Sequence, residues 1–98
     1  MTKNKVTVVA FVKAKRGAES SVKQILTGLL APTRAENGCI NYDLHQSSED
    51  PSEFLFYENW ESKEVLDLHL KTPHIAQAMA SSASLLVEPV KITLWEHL

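Results

Sequence analysis

The segment Lys5–Lys13 carries apolar side chains on both faces of an extended chain. Val6, Val8, Ala10 and Val12 point one way, and Thr7, Val9 and Phe11 point the other. Successive strand side chains alternate across a sheet, so a strand with this pattern is covered on both sides. A chain of 98 residues has room for one core, and that core is marginal on its own. The chain is therefore read as a single domain spanning residues 1–98, for which burial against another copy is a natural supplement.

Gly17 interrupts the strand, and Glu19–Glu36 reads as a helix with Val22, Ile25, Leu26 and Leu29 on its inner stripe. Pro32 frees the carbonyl of residue 28, a glycine, where no side chain crowds the bend, so the helix is expected to kink. Asn37-Gly38 stops it. Cys39–Ser47 alternates, with Ile40, Tyr42 and Leu44 on one face and Asn41, Asp43 and His45 on the other. Turn chemistry at residues 48–52 joins it to a second strand, Glu53–Trp60, as an antiparallel hairpin. Ser62 caps a short helix through Leu70, and Thr72-Pro73, a capping hydroxyl with proline behind it, opens another to about Leu86. Val90, Ile92 and Leu94 then alternate with Lys91, Thr93 and Trp95 as a last strand.

The order β-α-β-β-α-β predicts an α+β, ferredoxin-like domain with a four-stranded antiparallel sheet. Helices on one face leave the other uncovered. That face includes Val9, Phe11, Tyr57 and Trp95, too apolar a set for open water. The expectation is a homodimer packed sheet to sheet, a dimeric α+β barrel. Ten basic against twelve acidic residues, net −2, do not make the basic face that nucleic acid requires. The longest apolar runs, such as Val8–Val12, fall far short of the roughly 20 residues of a membrane helix, so no membrane insertion is expected. Met1–Lys5 lacks a signal-peptide pattern, and one cysteine, Cys39, excludes an internal disulfide. Both point to a reducing cytoplasm.

Gly-rich phosphate loops, GxSxG elbows and CxxC pairs are absent from the sequence. His69 and His74 are five residues apart with a helix break between them. Nothing obvious in the sequence supplies the further ligands a metal needs, so no metal is expected. His69 follows Val65 by four and Leu66 by three, on the apolar side of its helix. It is either a core histidine bonded to backbone or an imidazole facing an internal pocket for proton transfer. Phe54, Phe56, Glu58 and Trp60 share one strand face. A carboxylate in such company must be paired or must hold its proton. Carboxylate, histidine and aromatic wall together make a pocket for a flat organic ligand, to which Tyr42 adds a hydroxyl. His74 opens the next helix, as a surface residue or as a third polar group. Cys39 is read as core filler, and His45 and His97 as solvated or dimer-face residues.

The run Phe56-Tyr57-Glu58-Asn59-Trp60-Glu61-Ser62, then His69-Leu70-Lys71-Thr72-Pro73-His74, preceded by Thr33-Arg34-Ala35-Glu36-Asn37-Gly38-Cys39, resembles the antibiotic biosynthesis monooxygenase (ABM) family. The likeness is closest to the quinol monooxygenase-like branch and covers essentially the whole chain. The resemblance implies a ferredoxin-like dimer with a cavity between sheet and helices. It also implies oxidation of quinol- or phenol-type aromatics by molecular oxygen as co-substrate, with no metal, flavin or haem cofactor. Trp60 matches a cavity tryptophan of the polyketide-oxidising members. Their asparagine falls on Phe56, their helix tyrosine on Leu66 and their arginine near Ala80, so an anthrone-type substrate is not implied. In the haem-degrading branch an aromatic falls at His69 and the iron-ligating histidine at about Met79, so haem degradation is not implied either.

Glu58, His69 and His74, shared with the quinol-type and signal-isomerase branches, are the candidate catalytic residues. Trp60, Phe56 and Tyr42 are the candidate substrate-binding residues, and the expected partner is a small aromatic or quinone-type molecule. Two alternatives stand beside this. One is an isomerase moving a proton alpha to a carbonyl with the same residues. The other is a non-catalytic dimeric binding module, marked by an interior with no room between Trp60 and His69 or by a solvent-facing Glu58.

Overall fold

A computed structural model describes residues 5–98. Residues 1–4, on which the expectation of no targeting segment rests, lie outside them. The strands are β1 (Val6–Lys13), β2 (Cys39–Gln46), β3 (Glu53–Trp60) and β4 (Lys91–Trp95), in the sheet order β2-β3-β1-β4 with every pairing antiparallel. The doubly apolar β1 is one of the two inner strands. Val8, Ala10 and Val12 are buried beneath the helices, opposite Glu58, Phe56 and Phe54 of β3. On the other face Phe11, Tyr57 and Trp95 remain 44%, 43% and 57% exposed.

The expected kinked helix Glu19–Glu36 is two helices, α1 (Glu19–Thr27) and α2 (Leu30–Arg34). The last α-type bond before the break runs from the Gly28 N–H to the Gln24 carbonyl, 3.1 Å, and the Leu29 N–H tightens to Leu26, also 3.1 Å. Pro32 has no N–H to offer the Gly28 carbonyl, so the helical ladder restarts at Leu30. The second helix stops two residues before Glu36, which therefore lies in the turn leading to β2.

A second difference lies at the start of β2. Cys39 pairs with Trp60 and Asn41 with Asn59, so a bulge leaves Ile40 without a partner in the ladder. Ile40 is 52% exposed and does not join Tyr42, which is 2% exposed, on the inner face. Just upstream, Gly38 has φ +90°, and a Cβ there would meet Val65 at 2.8–2.9 Å. That close approach seats helix α3 (Lys63–His69) on the turn. The side chain of Ser62 caps α3 by accepting the Val65 N–H at 3.3 Å.

Helix α4 (Pro73–Ser82) follows and ends in a 3-10 turn, Ala83–Leu85. The Thr72 hydroxyl does not cap it. It turns back to donate to the His69 carbonyl at 2.8 Å, fixing the bend between α3 and α4. No helix of the described residues is long and apolar enough to cross a membrane.

Candidate active site

Because side chains alternate along β3, Glu58 shares the covered face with Phe54, Phe56 and Trp60, and all four are buried. Its Oε1 accepts the indole N–H of Trp60 at 2.8 Å. Burial pushes the carboxyl up to about 7, the indole bond pulls it down, and the negative charge of Glu36 adds to the rise. Near neutrality Glu58 is therefore poised between its two forms. Opposite it on β2, Tyr42 stacks on Phe56 with ring centroids 4.7 Å apart and meets His69 edge-on at 5.5 Å. Burial, reinforced by the nearby Glu58 charge, raises its phenol well above the ordinary value. Tyr42 is thus a neutral hydroxyl.

His69 is the last residue of α3, and its side chain is 3% exposed. Burial lowers its pKa, while the Glu36 carboxylate works in the opposite direction. Its Nδ1 lies 2.8 Å from Oε2 of Glu36. With Nδ1 committed to a carboxylate, Nε2 is the nitrogen left with a free lone pair. The same Glu36 oxygen also holds Nε2 of His74, on the first turn of α4, at 2.6 Å. One carboxylate from the α2–β2 turn thus ties together imidazoles from two helices. The three potential ligand atoms lie within 4.8 Å of one another. This corrects the expectation that nothing stands beside the two histidines to complete a ligand set. Glu36 does, across 33 and 38 residues of chain.

Between sheet and helices lies an apolar cavity of about 60 Å³, with Tyr42, Phe56, Glu58, His69, Met79 and Ile92 among its walls. Met79 and Ile92 are partly exposed and mark its solvent side. Of the six candidate residues, Glu58, His69, Phe56 and Tyr42 line this space. Trp60 and His74 stand behind it, the first against Glu58 and His69, the second against Glu36. The rings of Trp60 and His69 are in contact, with centroids 4.5 Å apart, and nothing fits between them. Glu58, however, faces inward. The two signs proposed for a non-catalytic module therefore divide. A wider groove of about 570 Å³, with Phe11, Lys13, His45 and Lys91 among its walls, contains none of these groups. The Lys13 ammonium there is already paired with Asp50 and Glu53.

Burial raises the Cys39 thiol, with the charge of Glu36 adding to the effect, which opposes a role as nucleophile. Glu36 is the site residue that sequence patterning missed. It sits between a helix end and a glycine turn, with no periodicity to betray a buried partner.

Residues 5–81 match the antibiotic biosynthesis monooxygenase family. The Mycobacterium tuberculosis protein named "Putative monooxygenase Rv0793" is 36% identical over 89 residues, which are 91% of this chain and 87% of that one. The structure of Rv0793 superposes with a TM-score of 0.89 at 34% identity, covering 96% of this chain and 95% of its own. The crystal structure of PA3566 from Pseudomonas aeruginosa is similar with a TM-score of 0.93 at 33% identity, covering 100% and 98%.

Proposed function

The chain belongs to the antibiotic biosynthesis monooxygenase family, and on that premise we propose that it oxidises a small, electron-rich quinol or phenol with molecular oxygen. No metal, flavin or haem takes part. The observation that carries this reading is the pairing, on one cavity, of a buried carboxylic acid and a buried imidazole oriented by a second carboxylate. Nε2 of His69 takes a phenolic proton, and Glu58, poised near neutrality, takes or returns a second. The substrate anion gives one electron to oxygen, and the apolar walls hold the radical pair dry until it recombines. A C–O bond forms, one oxygen atom stays on the ring and the other leaves as water. Quinol plus oxygen becomes hydroxyquinone plus water, with all electrons drawn from the substrate. The working form is a homodimer closed over the outer aromatic face, in the cytoplasm.

Oxygen uptake against a panel of quinols and phenols tests the reading. Wild-type protein is expected to consume one oxygen per quinol. His69→Ala and Glu58→Gln should each lower turnover about 10²–10⁴-fold. Full turnover in both variants, or none in the wild type with any compound, overturns it.

One observation favours a second reading. The cavity, at about 60 Å³, is far below the roughly 300–1,000 Å³ of sites for drug-sized ligands, so it suits a compact molecule. A small keto compound that loses an α-proton to Nε2 of His69 and regains a proton from the Glu58 carboxyl suits that space. Solvent deuterium entering the substrate without oxygen uptake identifies this route.

A further inference from the structure

We propose that Glu36, His69 and His74 form a site for one first-row divalent transition-metal ion, and that its occupancy silences the proton chemistry of the cavity. Two imidazoles and one carboxylate form a common donor set for such ions, and three protein ligands leave a fourth position open to water, as in zinc sites that are not closed by four side chains. Here the three groups come from three different elements: the α2–β2 turn, the end of α3 and the start of α4. The tertiary fold, not local sequence, brings them together.

Metal bonds of 2.0–2.2 Å place donor atoms roughly 3–4 Å apart around a common centre. The donors already lie within 4.8 Å of one another, with the histidine nitrogens 2.8 and 2.6 Å from Oε2. Small rotations of three side chains open the centre. His74 is 25% exposed and provides the way in, while His69 at 3% provides the closed end. Among the described residues the Glu36 carboxylate bonds these two imidazoles. A cation therefore replaces shared protons and breaks no ion pair with lysine or arginine.

Coordination has a chemical consequence at the cavity, which rests on the function proposed above. A metal on Nδ1 of His69 requires that nitrogen's lone pair, so the neutral ring must carry its proton on Nε2. The base is thereby lost while Glu58, Tyr42 and Phe56 still line the cavity. The metal is an inhibitor of this site, and its release restores the free nitrogen.

The test titrates the chelator-treated full chain with cobalt(II), read by visible d–d absorption, and with zinc(II), read by calorimetry. One equivalent per chain is expected, with the intense absorption of low-coordinate cobalt. His74→Ala and Glu36→Gln should each weaken binding by more than the about 10–100-fold typical of losing an outer-shell partner. Thermal melting of both variants separates ligand loss from misfolding. Cys39→Ser and His97→Ala should leave the titration unchanged. Absence of binding in the wild type, or binding that survives both His74→Ala and Glu36→Gln, overturns the site. One equivalent of zinc that leaves turnover untouched overturns the silencing. A chain that binds cobalt but shows no turnover with or without metal refutes the proposed activity alone, because the spectroscopic readout does not depend on it.

Discussion

Each side of the sheet carries exceptions to the ordinary distribution of polarity. Beneath the helices, where apolar side chains belong, lie Glu58 and His69, both buried. On the open face, where charge belongs, lie Phe11, Tyr57 and Trp95. Either anomaly alone has a local explanation. Together they describe a chain that, as a monomer, buries a carboxylic acid without a cation and leaves an aromatic surface wet. On the reading proposed above, the covered face gives up stability for acid–base chemistry, and the open face gives up solubility for association. The family match covers residues 5–81, which include Glu58, His69, Phe11 and Tyr57.

The comparison is most sharply tested on the covered side. The 10²–10⁴-fold fall in turnover expected for His69→Ala separates a working imidazole from ordinary core, and unchanged turnover places His69 in the core.

Next in size is the stability cost of Glu58. Its value of about 7 in the folded chain lies above the ordinary 4.5. Below pH 4.5 folded and unfolded chains both carry the proton. Between 4.5 and 7 the unfolded chain releases it first, so stability falls as pH rises. Above 7 the penalty is complete, about 3 kcal/mol at 1.36 kcal/mol per pH unit. Glu58→Gln, which keeps an acceptor for the Trp60 indole, should raise the urea midpoint at pH 8 and leave it unchanged at pH 4. His69 acts oppositely. Its lowered pKa removes stability as pH falls below its ordinary 6.5, an effect that His69→Gln should abolish.

On the open face, Trp95→Glu should weaken self-association by about 1–3 kcal/mol, read by sedimentation. Monomer stability should change by no more than about 0.5 kcal/mol. A wild-type chain that sediments as a monomer at micromolar concentration removes the association half of the comparison. The smallest effect belongs to Asp67→Asn. It deletes an exposed i,i+4 pair with Lys63, 2.9 Å, and should cost about 0.3–0.5 kcal/mol. A surface charge thus calibrates what the buried one costs.

Much of the framework is legible in local pattern. Alternation in β1, the hairpin signals between β2 and β3, and Thr72-Pro73 each act within a few residues, and together they specify the ferredoxin-like order. The bulge at Ile40 is not legible, because an extra residue in β2 is defined only by its register with Asn59 and Trp60 on β3. The break at Gly28–Leu29 is half legible: proline signals a bend, but whether the ladder bends or restarts depends on how the following turn packs. Glu58 and His69 stand out as polar residues in apolar patterns. Glu36 interrupts no pattern, and its partners lie two helices away, so only the folded chain reveals it.

Gly38 does not line the cavity, yet it underlies the helix that carries His69. Its left-handed backbone and the missing Cβ let Val65 rest directly on the turn, and Val65 lies one helical turn before His69 on α3. A side chain at position 38 meets Val65 at 2.8–2.9 Å, so Gly38→Ala is expected to displace α3 and, with it, the imidazole from Glu36. A screen for inactive alleles would therefore recover Gly38 substitutions among the active-site lesions. Selection for the proposed activity would then act on a residue that contributes a left-handed turn and the space it leaves empty.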